Sequence, residues 1–308
     1  MPNRAVSRLL LTSNHLNAQR SGSSQSGFHS VSEGSKYSST FKKYLVKDGN
    51  VKSYFHDLPL ELDVEKGTAN MVVEIPRWSN AKFEISTKVP GNPIMQDVKK
   101  GQVRFIKNLF PFHGYCHNYG AFPQTWEDIT NDNGELQIFG DNDPLDVIEI
   151  GSKVHEVGDI VKVKIIGSLA LIDDGELDWK VLAINTQDPL SKNVNDIPDI
   201  KKHYPGLLDS TREWIRNYKI PDGKPPNQFA FDGQYKDRAF TLKLIEENHH
   251  AWNNLIHEKI EKSDKLPIIT NTAHKTSPGY IEQFQITPAL PEPPASLPPD
   301  LSNWYYAK

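Results

Sequence analysis

A change of period partway along the chain does most to limit how it can fold. Between residues 70 and 185 the apolar residues come in short runs bounded by Gly, Pro, Asn and Asp, the pattern of β structure. Residues 70–75, 82–85, 103–106, 145–150, 159–172 and 177–184 are the candidate strands. The last two are joined by Asp173-Asp174-Gly175-Glu176, a turn sequence between apolar runs that reads as a hairpin. After residue 196 the spacing becomes helical. Ser210 with Glu213 three residues on is a capping-box signature, and Trp214, Ile215 and Tyr218 fall on one stripe of the helix that follows. A longer helix fits residues 237–260, with Leu242, Ile245, Trp252, Leu255 and Ile256 as its buried face. Strands followed by helices imply an α+β domain, mainly β, with a closed or nearly closed sheet and helices packed outside.

Composition removes several function classes. With 308 residues, 37% hydrophobic, 24% charged and a formal net charge of −4, the chain is neither collagen-like nor disordered. Its longest apolar runs, such as Leu9 to Leu11, fall far short of the roughly 20 residues a membrane-crossing helix needs. One cysteine, Cys116, excludes an internal disulfide and a cysteine-cluster zinc site. The absence of a basic excess speaks against a nucleic-acid partner.

The two ends differ from the body. Residues 1–35 hold Arg4, Arg8 and Arg20 among many serines with no acid before Glu33, which is the composition of a cleaved, disordered transit peptide for the mitochondrial matrix. Cleavage is expected between Arg20 and Lys36, with the fold starting near Tyr37 and the main domain covering residues 36–285. In residues 286–308 six prolines, Pro288 to Pro299, forbid helix or central strand and predict an extended strap. Its Trp304, Tyr305 and Tyr306 are expected to dock on the body or on a partner subunit.

Charge is concentrated in two places. Residues 141–149 carry Asp141, Asp143, Asp146 and Glu149, and residues 173–178 carry Asp173, Asp174, Glu176 and Asp178; without these eight acids the net charge turns from −4 to +4. If the two segments meet, like charges a few ångströms apart must bind cations or hold protons. Oxygen donors alone select hard divalent ions, Mg2+ first and Mn2+ as a substitute. An EF-hand does not fit, because its sixth and twelfth positions would be Asp146 and Ser152. Pro144 stiffens the first segment, Asp146 opens an apolar strand, and alternation puts Asp178 and Lys180 on one face. A complementary set lies elsewhere: Glu74 before Pro76, Lys82 and Glu84 two apart, Arg104 inside an apolar run, Tyr115 and Tyr119 in a Gly- and aromatic-rich stretch, and Tyr218 beside Lys219. Carboxylates on one side and Arg, Lys and Tyr donors on the other suit a highly charged phosphate substrate bridged by metal ions.

These residues stand in blocks that resemble family I soluble inorganic pyrophosphatases of the larger fungal and animal type. The family signature appears as DNDPLDV at 141–147, alongside VEIPRW at 73–78, KFEI at 82–85, HGYCHNYGAFPQTWED at 113–128, LIDDGELDWKV at 171–181 and YKIPDGKP at 218–225. With the acid-free leader, the whole resembles the fungal mitochondrial members. The resemblance implies a twisted five-stranded OB-type barrel with flanking helices and extended terminal segments, a homodimer, and hydrolysis of pyrophosphate with Mg2+. Carried over motif by motif, Asp141, Asp146 and Asp178 would hold a first metal pair, Asp173 would join Asp178 on a metal delivered with the substrate, and Glu84 would reach metal through water. Asp143 would take the proton of the attacking water, with Tyr115 and Arg104 also catalytic. Lys82, Arg104, Tyr115, Tyr218, Lys219 and Lys180 would hold the phosphates, and Glu74 and Tyr119 would complete the polar cavity. Cys116 departs from the aliphatic residue expected there and reads as packing; His113 and His117 read as structural.

Two rival readings use the same residues. An OB barrel binding single-stranded nucleic acid is opposed by the clustered acids. A phosphatase with an aspartyl-phosphate at an Asp-x-Asp pair would want an apolar strand ahead of it, and Gln137 to Gly140 is a poor one. Oligonucleotide binding or an acid-stable phosphoenzyme would mark either.

Overall fold

A computed structural model describes residues 27–132, 134 and 136–307. The elements used below are β1 (Phe28–Ser35), β2 (Lys42–Lys47), β3 (Thr68–Ile75), β4 (Phe83–Ile85), β5 (Ile94–Gln96), β6 (Asn118–Ala121), β7 (Asp146–Glu149), β8 (Ile160–Asp173) and β9 (Glu176–Asn185), then α1 (Ile197–His203), α2 (Leu207–Asn217) and α3 (Arg238–Ile256).

Five of these strands close into a ring. Strand β3 pairs antiparallel with β6, β6 with β7, β9 with β8, and β8 returns to β3. The remaining joint, β7 to β9, is parallel and runs from Asp146↔Lys180 to Glu149↔Ala183. Closure removes the sheet edges, and the expected OB-type barrel is what forms. The β8–β9 hairpin turns through Asp174 at φ 48° and Gly175 at φ 97°, two left-handed residues as a tight primed turn requires. Gly120 is fixed by a close approach: a Cβ there would collide with the Val72 carbonyl oxygen, at the point where the β6–β3 register slips.

Both faces of the long strands are buried, and side-chain parity divides them. Leu177, Trp179, Val181 and Ala183 of β9 pack with Leu242, Leu244 and Ile245 of α3. Leu182 and Ile184 belong to the other core cluster, with Trp214 and Ile215 of α2 and Trp252 of α3. Asp178 and Lys180 share the parity of Leu182, so the second face is also the one that carries charge.

Helix α3 starts as its sequence suggests, with the Asp237 side chain accepting from the Phe240 amide at 2.8 Å. Helix α2 starts three residues before the expected Ser210 cap. Gly206, left-handed at φ 85°, reverses the chain there, and Ser210 becomes an interior residue whose amide donates to the Gly206 carbonyl. The run at 103–106 is not one strand: Gln102–Val103 pairs with Val98–Lys99 and Phe105 makes a single antiparallel bridge to Ala81, while the Arg104 amide donates to Asp97 O and the Ile106 amide to Asn80 O.

The N-terminal boundary needs correcting. Residues 28–35, expected to belong to a disordered leader, form β1, which pairs antiparallel with β2 from Phe28↔Lys47 to Glu33↔Lys42. Phe28 is buried in the main core, and Lys42 bonds Glu33 at 3.0 Å. The fold thus includes Phe28 to Ser35, ahead of Tyr37, and residues 1–26, with the rest of the expected leader, lie outside the described residues. At the other end the proline-rich segment lies on its own chain, and it is not extended throughout: Pro299–Ser302 forms a short 3-10 helix, which proline at its first turn permits. Gly34 and Ser35 pair with Pro291 and Glu292, the Ser35 hydroxyl donates to Pro293 O at 2.7 Å, and Trp304–Tyr305 pairs in parallel with Asn108–Leu109. Among the described residues no helix is long and apolar enough to cross a membrane.

Candidate active site

The two acidic segments meet in a cavity of about 230 Å³. The turn before β7 contributes Asp141 and Asp143, β7 opens with Asp146, and the β8–β9 hairpin supplies Asp173, Asp178 and Lys180. Strand β3 adds Glu74, and β4 with the residue before it adds Glu84 and Lys82. Tyr115, Tyr119 and Tyr218, at the C-cap of α2, complete the lining. The parallel joint is what puts Asp146 opposite Lys180.

The Asp141–Asp143 turn is held from beneath by the QTWED stretch. The Glu127 amide donates to Asp143 O and the Asn142 amide to Glu127 O, both at 3.0 Å, while Trp126 Nε1 donates to Asn142 Oδ1 at 3.1 Å. Asn142 is left-handed at φ 77°. Gly140 has no room for a Cβ against the Glu127 backbone. The Asp143 amide donates to Asp141 Oδ1 at 3.0 Å, which fixes the first carboxylate relative to the second.

Lysines interleave with the acids. Lys180 Nζ donates to Asp146 Oδ2 and Asp178 Oδ1, Lys219 Nζ donates to both oxygens of Asp173, and Lys82 Nζ donates to Glu84 Oε2 at 2.7 Å. The Tyr119 hydroxyl donates to Asp146. Arg104 and Lys219 are the two expected site residues that do not line the cavity: Arg104 is turned to Asp97, which also faces Lys82 at 3.4 Å, and Lys219 is held by Asp173. The expected trio Asp141, Asp146 and Asp178 is not the tightest carboxylate group. Among the described residues that group is Glu127, Asp141 and Asp178, with ligand oxygens within 4.8 Å of one another, while the Lys180 ammonium stands between Asp146 and Asp178.

Burial and like charge act together on these acids. Burial, then Asp143 and Asp146, pushes Asp141 up to about 8, and burial, then Glu84 and Asp146, pushes Asp143 up to about 7. Burial first and neighbouring carboxylates next also hold Glu74 and Glu127 well above the usual range; for Asp178 burial raises the value and Lys180 opposes it. For Lys180 burial works against its charge, but Asp146 and Asp178 prevail and hold its pKa well above the ordinary value. Tyr115, Tyr119 and Tyr218 are raised by burial and stay hydrogen-bond donors. His117 donates or accepts at the Thr211 hydroxyl at 2.8 Å and is kept neutral by burial at about 3, in line with a structural role. Cys116 is pushed by burial up to about 12, which leaves it a packed thiol.

The donor set fits a hard divalent cation. It is made of oxygens, carries excess negative charge and brings several carboxylates together at the spacing an octahedral ion with ~2.1 Å bonds can gather. Three acids that sequence reasoning left without a role belong to this neighbourhood: Asp97, which holds Lys82 and Arg104; Glu176, on the cavity wall; and Glu127. Glu176 was visible as part of the second acidic segment, whereas nothing local marked Asp97 or Glu127.

The sequence and the fold both match known proteins. Residues 71–253 match the inorganic pyrophosphatase family model. The chain is 48% identical over 309 residues to the mitochondrial inorganic pyrophosphatase of Saccharomyces cerevisiae, covering 98% of this chain and 96% of that one. It is 50% identical over 276 residues to the inorganic pyrophosphatase of Kluyveromyces lactis, covering 89% and 96%. Among solved structures, the inorganic pyrophosphatase of Schistosoma japonicum superposes with a TM-score of 0.84 at 42% identity, over 91% of this chain and all of that one. With the closed barrel and the two acidic segments meeting inside one cavity, the chain belongs to the inorganic pyrophosphatase family, hydrolases of the diphosphatase class.

Proposed function

We propose that this protein hydrolyses inorganic pyrophosphate to two phosphates with Mg2+, by in-line attack of water on one phosphorus and without a covalent enzyme intermediate. The observation that supports this most is the cavity itself, with Asp141, Asp143, Asp146 and Asp178 in one group and Lys82, Tyr115, Tyr218 and Lys180 as donors around it. Asp141, Asp146, Asp173, Asp178 and, through water, Glu84 hold the ions, which supply positive charge and lower the pKa of bound water. Asp143 orients the attacking water and takes its proton. The phosphate oxygens accept from Lys82, Lys219, Arg104 and the hydroxyls of Tyr115 and Tyr218, which stabilise charge on the leaving phosphate. Lys180 and Tyr119 keep Asp146 oriented, and Glu74 accepts from the Ile85 amide at 2.6 Å, fixing the strand that carries Glu84. The test is phosphate release from pyrophosphate by the purified full-length chain with Mg2+, with chelator, and with Asp143→Asn beside it. Turnover that needs Mg2+ and fails in the variant is expected; turnover unchanged by chelator would overturn the reading.

The protein is further proposed to be mitochondrial and to act as a homodimer. The arginine- and serine-rich leader supports the first, as does the mitochondrial relative that matches 98% of the chain. An exposed aromatic patch supports the second. Phe110 lies 5.7 Å from both Trp304 and Tyr306, and His113 lies 6.4 Å from Trp304 and bonds the Trp78 carbonyl. These aromatic rings are largely open to solvent, and a patch of this kind fits a second copy of the chain. Trp304→Ala is expected to shift the mass in solution from dimer toward monomer. A native chain that sediments as a monomer would sink the dimer proposal.

A further inference from the structure

Glu127 is buried, with 3% of its surface exposed, and its two carboxyl oxygens have different fates. Oε1 accepts from the Trp179 amide at 2.9 Å, between Asp178 and Lys180 on β9. Oε2 is buried with no hydrogen-bond partner among the described residues. The Glu127 backbone meanwhile clamps the Asp141–Asp143 turn through bonds to Asp143 O and from the Asn142 amide. One residue therefore ties together the two segments that carry Asp141 and Asp178, and one of its carboxyl oxygens lies within 4.8 Å of ligand oxygens of both. Asp141 and Asp178 line the acidic cavity, while Glu127 lines a second cavity of about 280 Å³ with Gly140 and Trp179.

A purely structural carboxyl here would need only Oε1. A second buried oxygen left without a partner costs free energy unless something not made of protein satisfies it. A water of a cation held by Asp141 and Asp178 would do so, since outer-shell acceptors orient a metal's ligands and waters.

We propose that Glu127 is a positioning residue of the metal site, setting the separation of Asp141 and Asp178 through its backbone and Oε1, and accepting from the water shell of their divalent ion through Oε2. This rests on the metal-dependent reading above.

The test uses the full-length chain and Mn2+ as a spectroscopic probe in the absence of substrate. Glu127→Gln keeps the volume and an oxygen for the Trp179 amide but removes the second acceptor. It should lower Mn2+ affinity about tenfold or more, leave melting in chelator within a few degrees of native, and recover most of kcat at high Mg2+. In an Asp178→Asn background the same change should add little to the loss of affinity, because both act on one ion. Native Mn2+ affinity in Glu127→Gln would overturn the proposal, as would fully additive losses in the double variant. Glu127→Asp, which withdraws the carboxyl by one methylene, gives the same readout if the Gln variant does not fold. A native chain that binds no Mn2+ would instead overturn the metal reading, and this proposal with it.

Discussion

Metal binding in the acidic cavity should release protons, and the cavity allows the number to be worked out. Asp141 is held at about 8 and Asp143 at about 7, by burial first and neighbouring carboxylates second. An ordinary aspartate sits at about 3.9. Near pH 6 the metal-free protein therefore holds close to two protons on this pair, and a divalent cation beside them displaces both. Through this pair alone, linkage makes apparent Mg2+ affinity rise about 100-fold per pH unit near pH 6 and about tenfold per unit between roughly 7 and 8, and Asp178, also raised, can only add to the release. Stability of the metal-free protein runs the other way. These acids have raised values in the fold, so the folded chain keeps protons that the unfolded chain loses above about pH 4, and stability from this pair falls as pH climbs toward about 8. His56 and His117, kept neutral by burial at about 4 and about 3, oppose that trend below the ordinary histidine value, but do so with or without metal. The difference between metal-loaded and metal-free protein isolates the carboxylates. Calorimetric titration of Mg2+ in two buffers of unlike ionisation enthalpy counts the protons, and melting with Mg2+ or chelator should show a gap that widens from about pH 6 to 8. A release below about half a proton near pH 6, with affinity flat across that range, would refute the reasoning.

Other substitutions separate the roles assigned above. Asp143→Asn should fold and bind metal but lose about 10²- to 10⁴-fold in kcat, whereas Asp146→Asn, which also frees Tyr119 and Lys180, should lose metal affinity as well; kinetics and Mn2+ titration distinguish the two. Gly120→Ala should destabilise the barrel by about 3 kcal/mol or more in urea unfolding, because the new methyl meets the Val72 carbonyl. Lys107 lies 3.7 Å from Asp222, 3.3 Å from Pro221 O and over the Tyr305 ring, tying the strap to the loop behind Tyr218 and Lys219. Lys107→Ala should raise KM for pyrophosphate several-fold with kcat nearly kept, and a fall in kcat at unchanged KM would count against that coupling.

The barrel was legible because its strands advertise themselves twice, by period and by turn chemistry. The β8–β9 hairpin follows from Asp-Gly between apolar runs, and the Asp237 cap sits where α3 was expected to begin. What was missed depends on contacts distant in sequence. Strand β1 reads SVSEGS over most of its length, polar on both faces, and is a strand because β2 and the proline strap pair with its two edges. Arg104 looked like a strand residue in an apolar run, yet its backbone is shared between Asp97 and Lys82. Glu127 sits in a loop without periodicity, and Gly140 and Trp179, which approach it from distant parts of the sequence, are among its neighbours there.

The same strands serve the fold and the chemistry by alternating between them. On β9, Trp179 and Val181 face the cluster built on α3, while Asp178 and Lys180 turn to the cavity; on β7, Val147 joins that cluster and Asp146 the site. Each charged group is thus anchored by an apolar neighbour on either side, so its position is set by core packing and not by the reach of a loop. The interleaved lysines complete the arrangement. Lys180 between Asp146 and Asp178, and Lys219 on Asp173, neutralise part of the clustered charge. The chain can therefore close a barrel around a group of acids that would otherwise repel it apart, while the remaining excess of carboxylates supplies the charge to bind cations.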